Sequence, residues 1–248
     1  MIDSLFAKYS RQKDKNYQKL NYQPHDAIRS SYLLNPASRK LVVIFPGWHT
    51  HKFPVGVLAR RLAKRGWTVM WYDFHDRIID AEVAEVRESF EYVASKIAVD
   101  IKKQTYSHPY HTVHLIGISL GNVAMSMTAD KYGLFSSATF VAAGDDLAVD
   151  MWHGLRTLYL RDEFKKEHIS LEKLDTTWKQ EAPKNHVTRF KGKDVKLVLS
   201  KADKFILPQY QMAMMNRLKF AKANVVLRKR RTGHIMTILR YCLIDNVP

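Results

Sequence analysis

A serine, an aspartate and a histidine, separated by 84 and 31 residues, stand in this 248-residue chain where turns follow apolar runs. Ser119 lies in HLIGISLGNVAM, flanked two positions away on each side by Gly117 and Gly121. A sharp turn from a strand into a helix strains its apex residue, and side chains two positions before and after would collide with the turn and the neighbouring strands. Glycine at both positions removes that collision. The hydroxyl is then held out, with the amide end of the following helix aimed at it. A serine hydroxyl near neutral pH attacks poorly unless a base takes its proton. Of the eleven histidines, His234 is best placed for this, in TGH after an apolar run, with Gly233 expected to let the loop turn inward. The imidazole in turn needs a carboxylate to fix its tautomer. Asp203 in SKADKFILP fits, with Asp145 and Asp146 in reserve. A developing oxyanion needs donors, and the sequence offers the Leu120 N–H and, in FPGWHTH, the Trp48 N–H, with Gly47 allowing close approach.

The elements that must carry these residues alternate between strand and helix, the sign of a parallel sheet wrapped by helices. Residues 27–34 read as an antiparallel strand, KLVVIF (40–45) and TVMWYDF (68–74) as buried strands, and HTVHLIGIS, SSATFVAAG (136–144), VKLVLS (195–200) and NVVLRKR (224–230) as further strands. Helices are expected at PVGVLARRLAKRGW, which Gly66 stops, and over 81–104, where Val83, Val86, Phe90, Val93, Ile97 and Ile101 repeat at steps of three and four. Further helices are expected at 120–132, 208–221 and 235–244. Between about 145 and 186 lies an insertion, expected to be a helical cap over the strand ends. Within it, 151–160 reads as one amphipathic helix with Trp152, Leu155 and Tyr159 on a stripe. The expected architecture is α/β: a mostly parallel central sheet with helices on both faces and a cap, forming one domain over 1–248. In such sheets reacting groups collect at the carboxyl ends of the strands, and Trp48, Ser119, Asp203 and His234 all fall there.

From about residue 27 onward the chain resembles the α/β-hydrolase superfamily, in FPGW, GISLG, KADKFILP and TGH. The stretch TWKQEAPKNHV before VKLVLSKAD is similar to the approach to the acid strand in its esterase, acylglycerol lipase and acylaminopeptidase-like branches. The resemblance implies a Ser119–His234–Asp203 triad, oxyanion donors at Trp48 and Leu120, a lid over roughly 145–186 and hydrolysis of a carboxylic ester through an acyl-enzyme. Thioesters and amides use the same machinery. Pro46 replaces the histidine often found before the oxyanion glycine, and the lid matches no particular branch. His49, Asp145, Trp152 and Tyr159 are candidate substrate contacts. The alternatives are a non-catalytic binding module on the same scaffold, or a basic protein that binds an anionic surface.

The charge is strongly positive, 40 Lys+Arg against 24 Asp+Glu, and uneven. The segment 184–231 holds 14 basic and 2 acidic residues, a candidate for weak contact with an anionic surface, although no nucleic-acid motif accompanies it. RKRR (228–231) could guide an anionic group toward His234. Cys242 is the single cysteine, which excludes an internal disulfide and cysteine metal sites. His49 and His51 lack acidic or cysteine partners at ligand spacing, so neither metal nor cofactor is expected. Asp73 and Asp76 read as helix caps. The N-terminal stretch, with Ile2, Leu5, Phe6 and Tyr9 on one side, reads as a helix docking on its own domain and not as a secretory signal. No run approaches the roughly 20 apolar residues of a membrane span, and a cytoplasmic protein is the expectation.

Overall fold

Among the described residues, runs rich in valine, isoleucine and aromatic residues form seven strands, which join in one sheet in the order Ile28–Leu34, Thr68–Phe74, Lys40–Phe45, Thr112–Ile118, Ser137–Val141, Asp194–Ser200, Asn224–Arg230. The structure is a computed structural model that describes residues 23–48, 52–79 and 82–245. The strands are β1 (Ile28–Leu34), β2 (Lys40–Phe45), β3 (Thr68–Phe74), β4 (Thr112–Ile118), β5 (Ser137–Val141), β6 (Asp194–Ser200) and β7 (Asn224–Arg230). Only β1 is antiparallel, paired with β3; the other neighbours run parallel. The central strands are buried on both faces, as KLVVIF and TVMWYDF foretell, whereas the edge strands β1 and β7 alternate between partly buried and exposed positions. One row of the ladder runs Ile118↔Val141, Val141↔Val198, Val198↔Arg228, joining the last residues of β4 and β5 to positions two residues before the ends of β6 and β7.

Two apolar cores form, one on each face of the sheet. On one face α1 (Lys52–Lys64) supplies Val55, Leu58 and Leu62, and the last helix, α8 (His234–Leu243), supplies Ile238 and Tyr241. On the other, α2 (Val83–Ser107) supplies Phe90, Val93 and Ile97, α3 (Gly121–Tyr132) supplies Val123 and Met127, and α7 (Pro208–Phe220) supplies Met214 and Leu218. Gly66, at φ 78°, ends the turn after α1 in the left-handed region. The chain leaves β2 for β3 on one side and then crosses to β4 on the other. The connections leaving β2 and β4 therefore go to opposite faces of the sheet and leave a crevice at the carboxyl ends, where this architecture binds ligands. No helix among the described residues is long and apolar enough to cross a membrane.

Between β5 and β6 the chain forms α4 (Leu147–His153), α5 (Leu158–Lys166) and α6 (Leu171–Thr177), followed by three short 3-10 turns. The single helix expected over 151–160 is broken. α4 stops at His153, and Gly154 turns extended, its N–H bonded to the Asp150 carbonyl. A Cβ at Gly154 would lie 2.2 Å from the Phe205 carbonyl oxygen, so the segment that carries Phe205 packs directly against the backbone at this break. The stripe is lost with the helix: Leu155 is exposed, while the Trp152 ring lies under the Lys165 ammonium. The N-terminal stretch expected to form a helix lies outside the described residues.

Candidate active site

The turn from β4 into α3 carries Ser119 at φ 50°, a backbone region that costs an L-residue on the order of 1–2 kcal/mol. The surroundings hold it there. The Ser119 N–H donates to the Val141 carbonyl at 2.9 Å, and the Asn122 N–H returns to the Ser119 carbonyl at 3.0 Å. The Asn122 side chain adds two clamps, donating through Nδ2 to the carbonyls of Ser119 (2.7 Å) and Val141 (3.1 Å). Both flanking glycines are needed for space. A Cβ at Gly117 would fall 2.5 Å from Asn122 Oδ1, and one at Gly121 would fall 2.2 Å from the Phe45 carbonyl oxygen and 2.4 Å from that of Pro46. The Leu120 N–H meets no backbone acceptor among the described residues.

β6 delivers Asp203 and β7 delivers His234, the first residue of α8. With neighbouring strands about 4.8 Å apart, β7 lies three strand spacings, roughly 14 Å, from β4, and the segment after β7 carries His234 back across the strand ends. It arrives within hydrogen-bond range: His234 Nε2 is 2.8 Å from Ser119 Oγ, and His234 Nδ1 is 2.7 Å from Asp203 Oδ2. With a carboxylate as its partner, Nδ1–H donates to Asp203, and Nε2 is left to accept from the serine hydroxyl. Asp203 is buried and accepts three further bonds, from the N–H groups of Phe205 (2.8 Å) and Ile206 (3.0 Å) at Oδ1 and from Gln211 Nε2 (2.9 Å) at Oδ2. Gln211 is fully buried and fixed in turn, accepting from the Ser200 N–H at 3.0 Å and donating to the Ile206 carbonyl at 2.7 Å. The Phe205 ring lies 5.0 Å from the imidazole. His114, at the start of the same apolar run, plays no such part. Its ring meets the hydroxyls of Ser137 (2.7 Å) and Thr139 (3.0 Å), and burial, with Lys196 adding to the effect, pushes it down to about 3.

Ser119, Leu120 and His234 open into a cavity of about 250 Å³, whose wall is mostly apolar and includes Met151, Leu158, Phe205 and Ile235. Trp48 and Tyr159 line it as a stacked pair with ring centres 6.4 Å apart. The Trp48 indole N–H donates to the Asp76 carbonyl at 2.6 Å, which pins the segment after β2 to the end of β3. Gly47 is buried beside it.

The other sequence candidates fare differently. Gly233 has φ −72° and ψ 176°, extended backbone that any residue adopts, so its conformation does not call for glycine. Asp145 is drawn away from the cavity by Arg217, whose Nε donates to Oδ2 at 2.5 Å, and Asp146 caps α4 and pairs with Lys184. Neither is free to act as the reserve acid. Trp152 does not line the cavity. His49 and His51 lie outside the described residues. His75, not either neighbouring aspartate, caps the 3-10 turn at Asp76–Ile78, and Asp76 pairs with Arg29 at 2.9 Å. Within the basic segment Lys184, Arg189, Arg217 and Arg230 are all engaged by carboxylates, Arg230 holding both oxygens of Asp245. Four side chains of the site passed unnoticed in the sequence: Asn122, Gln211, Asp150 and Arg156, the last two in the cavity wall. The i+3 spacing of Asn122 from Ser119 could have drawn attention to the first; nothing local marks the others.

No protein-family model matches the chain, and no curated protein matches it. Solved structures do. An esterase of Pyrococcus furiosus is 16% identical with a TM-score of 0.62, over 86% of this chain and 81% of that one. An acylaminoacyl peptidase of Pyrococcus horikoshii is 15% identical with a TM-score of 0.63, over 86% of this chain but 36% of that longer one. Acetyl xylan esterase 1 of a Thermoanaerobacterium species is 15% identical with a TM-score of 0.59, over 84% and 76% of the two chains.

Proposed function

We propose that this chain, which has the α/β-hydrolase fold, is a serine hydrolase that cleaves carboxylic esters through an acyl-enzyme on Ser119. The observation that carries the reading is the pair of bonds in series, 2.8 Å from Ser119 Oγ to His234 Nε2 and 2.7 Å from His234 Nδ1 to Asp203 Oδ2, at a strained residue facing a cavity.

Ser119 Oγ attacks the ester carbonyl carbon while His234 Nε2 takes its proton. The carbonyl oxygen, now negative, accepts from the N–H groups of Leu120 and Trp48. Asp203 stabilises the imidazolium and keeps its ring in place. As the tetrahedral adduct collapses, the bond to the leaving oxygen breaks and His234 returns the proton to it, releasing the alcohol. Water then attacks the acyl carbon with His234 again as base; Ser119 leaves with its proton restored, and the acid departs. The cavity, about 250 Å³ with a mostly apolar wall, is smaller than the 300–1,000 Å³ usual for ligand pockets, which supports a short or medium acyl group.

The test is a panel of chromogenic esters of rising chain length, with a thioester and an amide alongside, run on the wild type and Ser119→Ala beside labelling with a fluorophosphonate probe. Hydrolysis of the short esters and labelling of the wild type, with kcat lower by about 10⁴–10⁶ and no label in Ser119→Ala, is the expected result. A folded wild type that neither labels nor hydrolyses any of them refutes it.

A further inference from the structure

Four carboxylates gather around the end of β5 and the Asp203 loop, and three of them have partners. Asp145 is met by Arg217, Asp146 by Lys184 and the Val149 N–H, and Asp203 by His234, Gln211 and two backbone N–H groups. Asp150 is the fourth. It projects from α4 into the wall of the cavity that holds Ser119 and His234, and it is 5% exposed. Its Oδ1 has no hydrogen-bond partner among the described residues. The nearby Thr157 hydroxyl is committed elsewhere, to the carbonyls of Met151 (2.8 Å) and Gly154 (3.0 Å). Space has been cleared for this carboxyl, since a Cβ at Gly144 would lie 1.7 Å from Asp150 Oδ2. Burial, reinforced by the negative charges of Asp145, Asp146 and Asp203, drives the group toward its protonated form. A protonated carboxyl is a donor as well as an acceptor, and leaving such a group unmet in an apolar wall is costly.

We propose that Asp150 is a specificity-determining residue, whose carboxyl O–H donates to an uncharged oxygen of the substrate (hydroxyl, ether or second carbonyl) lying beyond the scissile ester. The inference rests on the ester-hydrolase reading of Ser119 and gives it a substrate class: oxygenated esters over plain alkyl esters. A site built to hydrogen-bond a substrate oxygen rejects the analogue that lacks it, because the buried donor is then left unmet.

The experiment compares kcat/KM for two matched pairs of p-nitrophenyl or alkyl esters, one pair with an ether oxygen replacing a methylene in the acyl chain, the other with the replacement in the alcohol. The wild type, Asp150→Asn and Asp150→Leu are assayed, each preparation being checked by fluorophosphonate labelling of Ser119. The wild type is expected to favour the oxygenated member of at least one pair by roughly 10- to 100-fold. Asp150→Asn, which keeps an N–H donor, retains most of that preference. Asp150→Leu brings the ratio to within about twofold of one. A labelled wild type without preference in either pair overturns the proposal and leaves the ester reading standing, and so does a labelled Asp150→Leu that keeps the preference. Loss of the preference in Asp150→Asn as severe as in Asp150→Leu overturns it too, since the amide still offers a donor at the same place. A folded wild type that neither labels nor turns over any ester removes both.

Discussion

Glu181 closes the 3-10 turn Lys179–Glu181, 1% exposed, with Oε2 lacking a hydrogen-bond partner among the described residues. Burial lifts its carboxyl from 4.5 to about 7; the Glu91 charge adds to the rise, while a backbone hydrogen bond and the Arg87 charge oppose it. The folded chain therefore keeps a proton that the unfolded chain has already released between pH 4.5 and 7. This contribution to stability is fully present below about pH 4.5, declines across that window and is gone above about pH 7. The gap between the two values sets a ceiling of about 3.4 kcal/mol. Water reaching the unpaired oxygen and adjustment of Arg87 reduce this to on the order of 1–2 kcal/mol. Glu181→Gln keeps the shape and removes the titration. Urea unfolding of both proteins at pH 5 and pH 8 isolates the effect, because every other titrating group cancels in the difference. At pH 8 the glutamine variant should be the more stable by about 1–2 kcal/mol, and at pH 5, half a unit above the unfolded value, that advantage should shrink to about 0.6–0.8 kcal/mol. An equal difference at the two pH values would show that Glu181 releases its proton alike in both states, and the reasoning from burial would fail.

Gly121→Ala places a methyl against the Phe45 and Pro46 carbonyls and should cost at least about 2–3 kcal/mol, lowering the melting temperature by roughly 4–12 °C; an unchanged melt would mean that the turn yields easily. Asp203→Asn leaves the shape but no longer favours the imidazole tautomer that accepts from Ser119, so kcat should fall by about 10⁴ with KM little changed. A loss below tenfold on the best ester of the panel would count against Asp203 as the orienting acid.

Much of the fold could be read from the sequence because the patterns that specify it are local. The buried runs of β2 and β3, the helical period of Val83 to Ile101 in α2 and the antiparallel opening strand all follow from apolar spacing and length. The glycines around Ser119 were legible for the same reason: they answer a steric demand of the turn itself, although the atoms they avoid, on Asn122, Phe45 and Pro46, differ between the two. Whatever depends on a distant segment was not legible. Periodicity carries a helix through Gly154, whereas the chain there packs against the Phe205 carbonyl, about fifty residues further on. Asp145 looked available until Arg217, 72 residues away, claimed it. Gln211 reads as an ordinary polar helix residue, and only folding reveals it as the support of Asp203. The charge excess of 184–231 likewise hides that several of its cations are structural partners of buried carboxylates.

The row Ile118–Val141–Val198–Arg228 has a further consequence. Sliding any one of these strands by a single residue moves its end by about 3.3 Å, more than a hydrogen bond can stretch and survive. The sheet thus serves as a ruler: alcohol, imidazole and acid are aligned by backbone register, whatever side chains clothe the strands. Helix positions that touch neither Ser119 nor Asp203 can drift in sequence with little effect on that alignment, unlike Asn122 and Gln211, while an insertion inside β4, β6 or β7 would disconnect the relay.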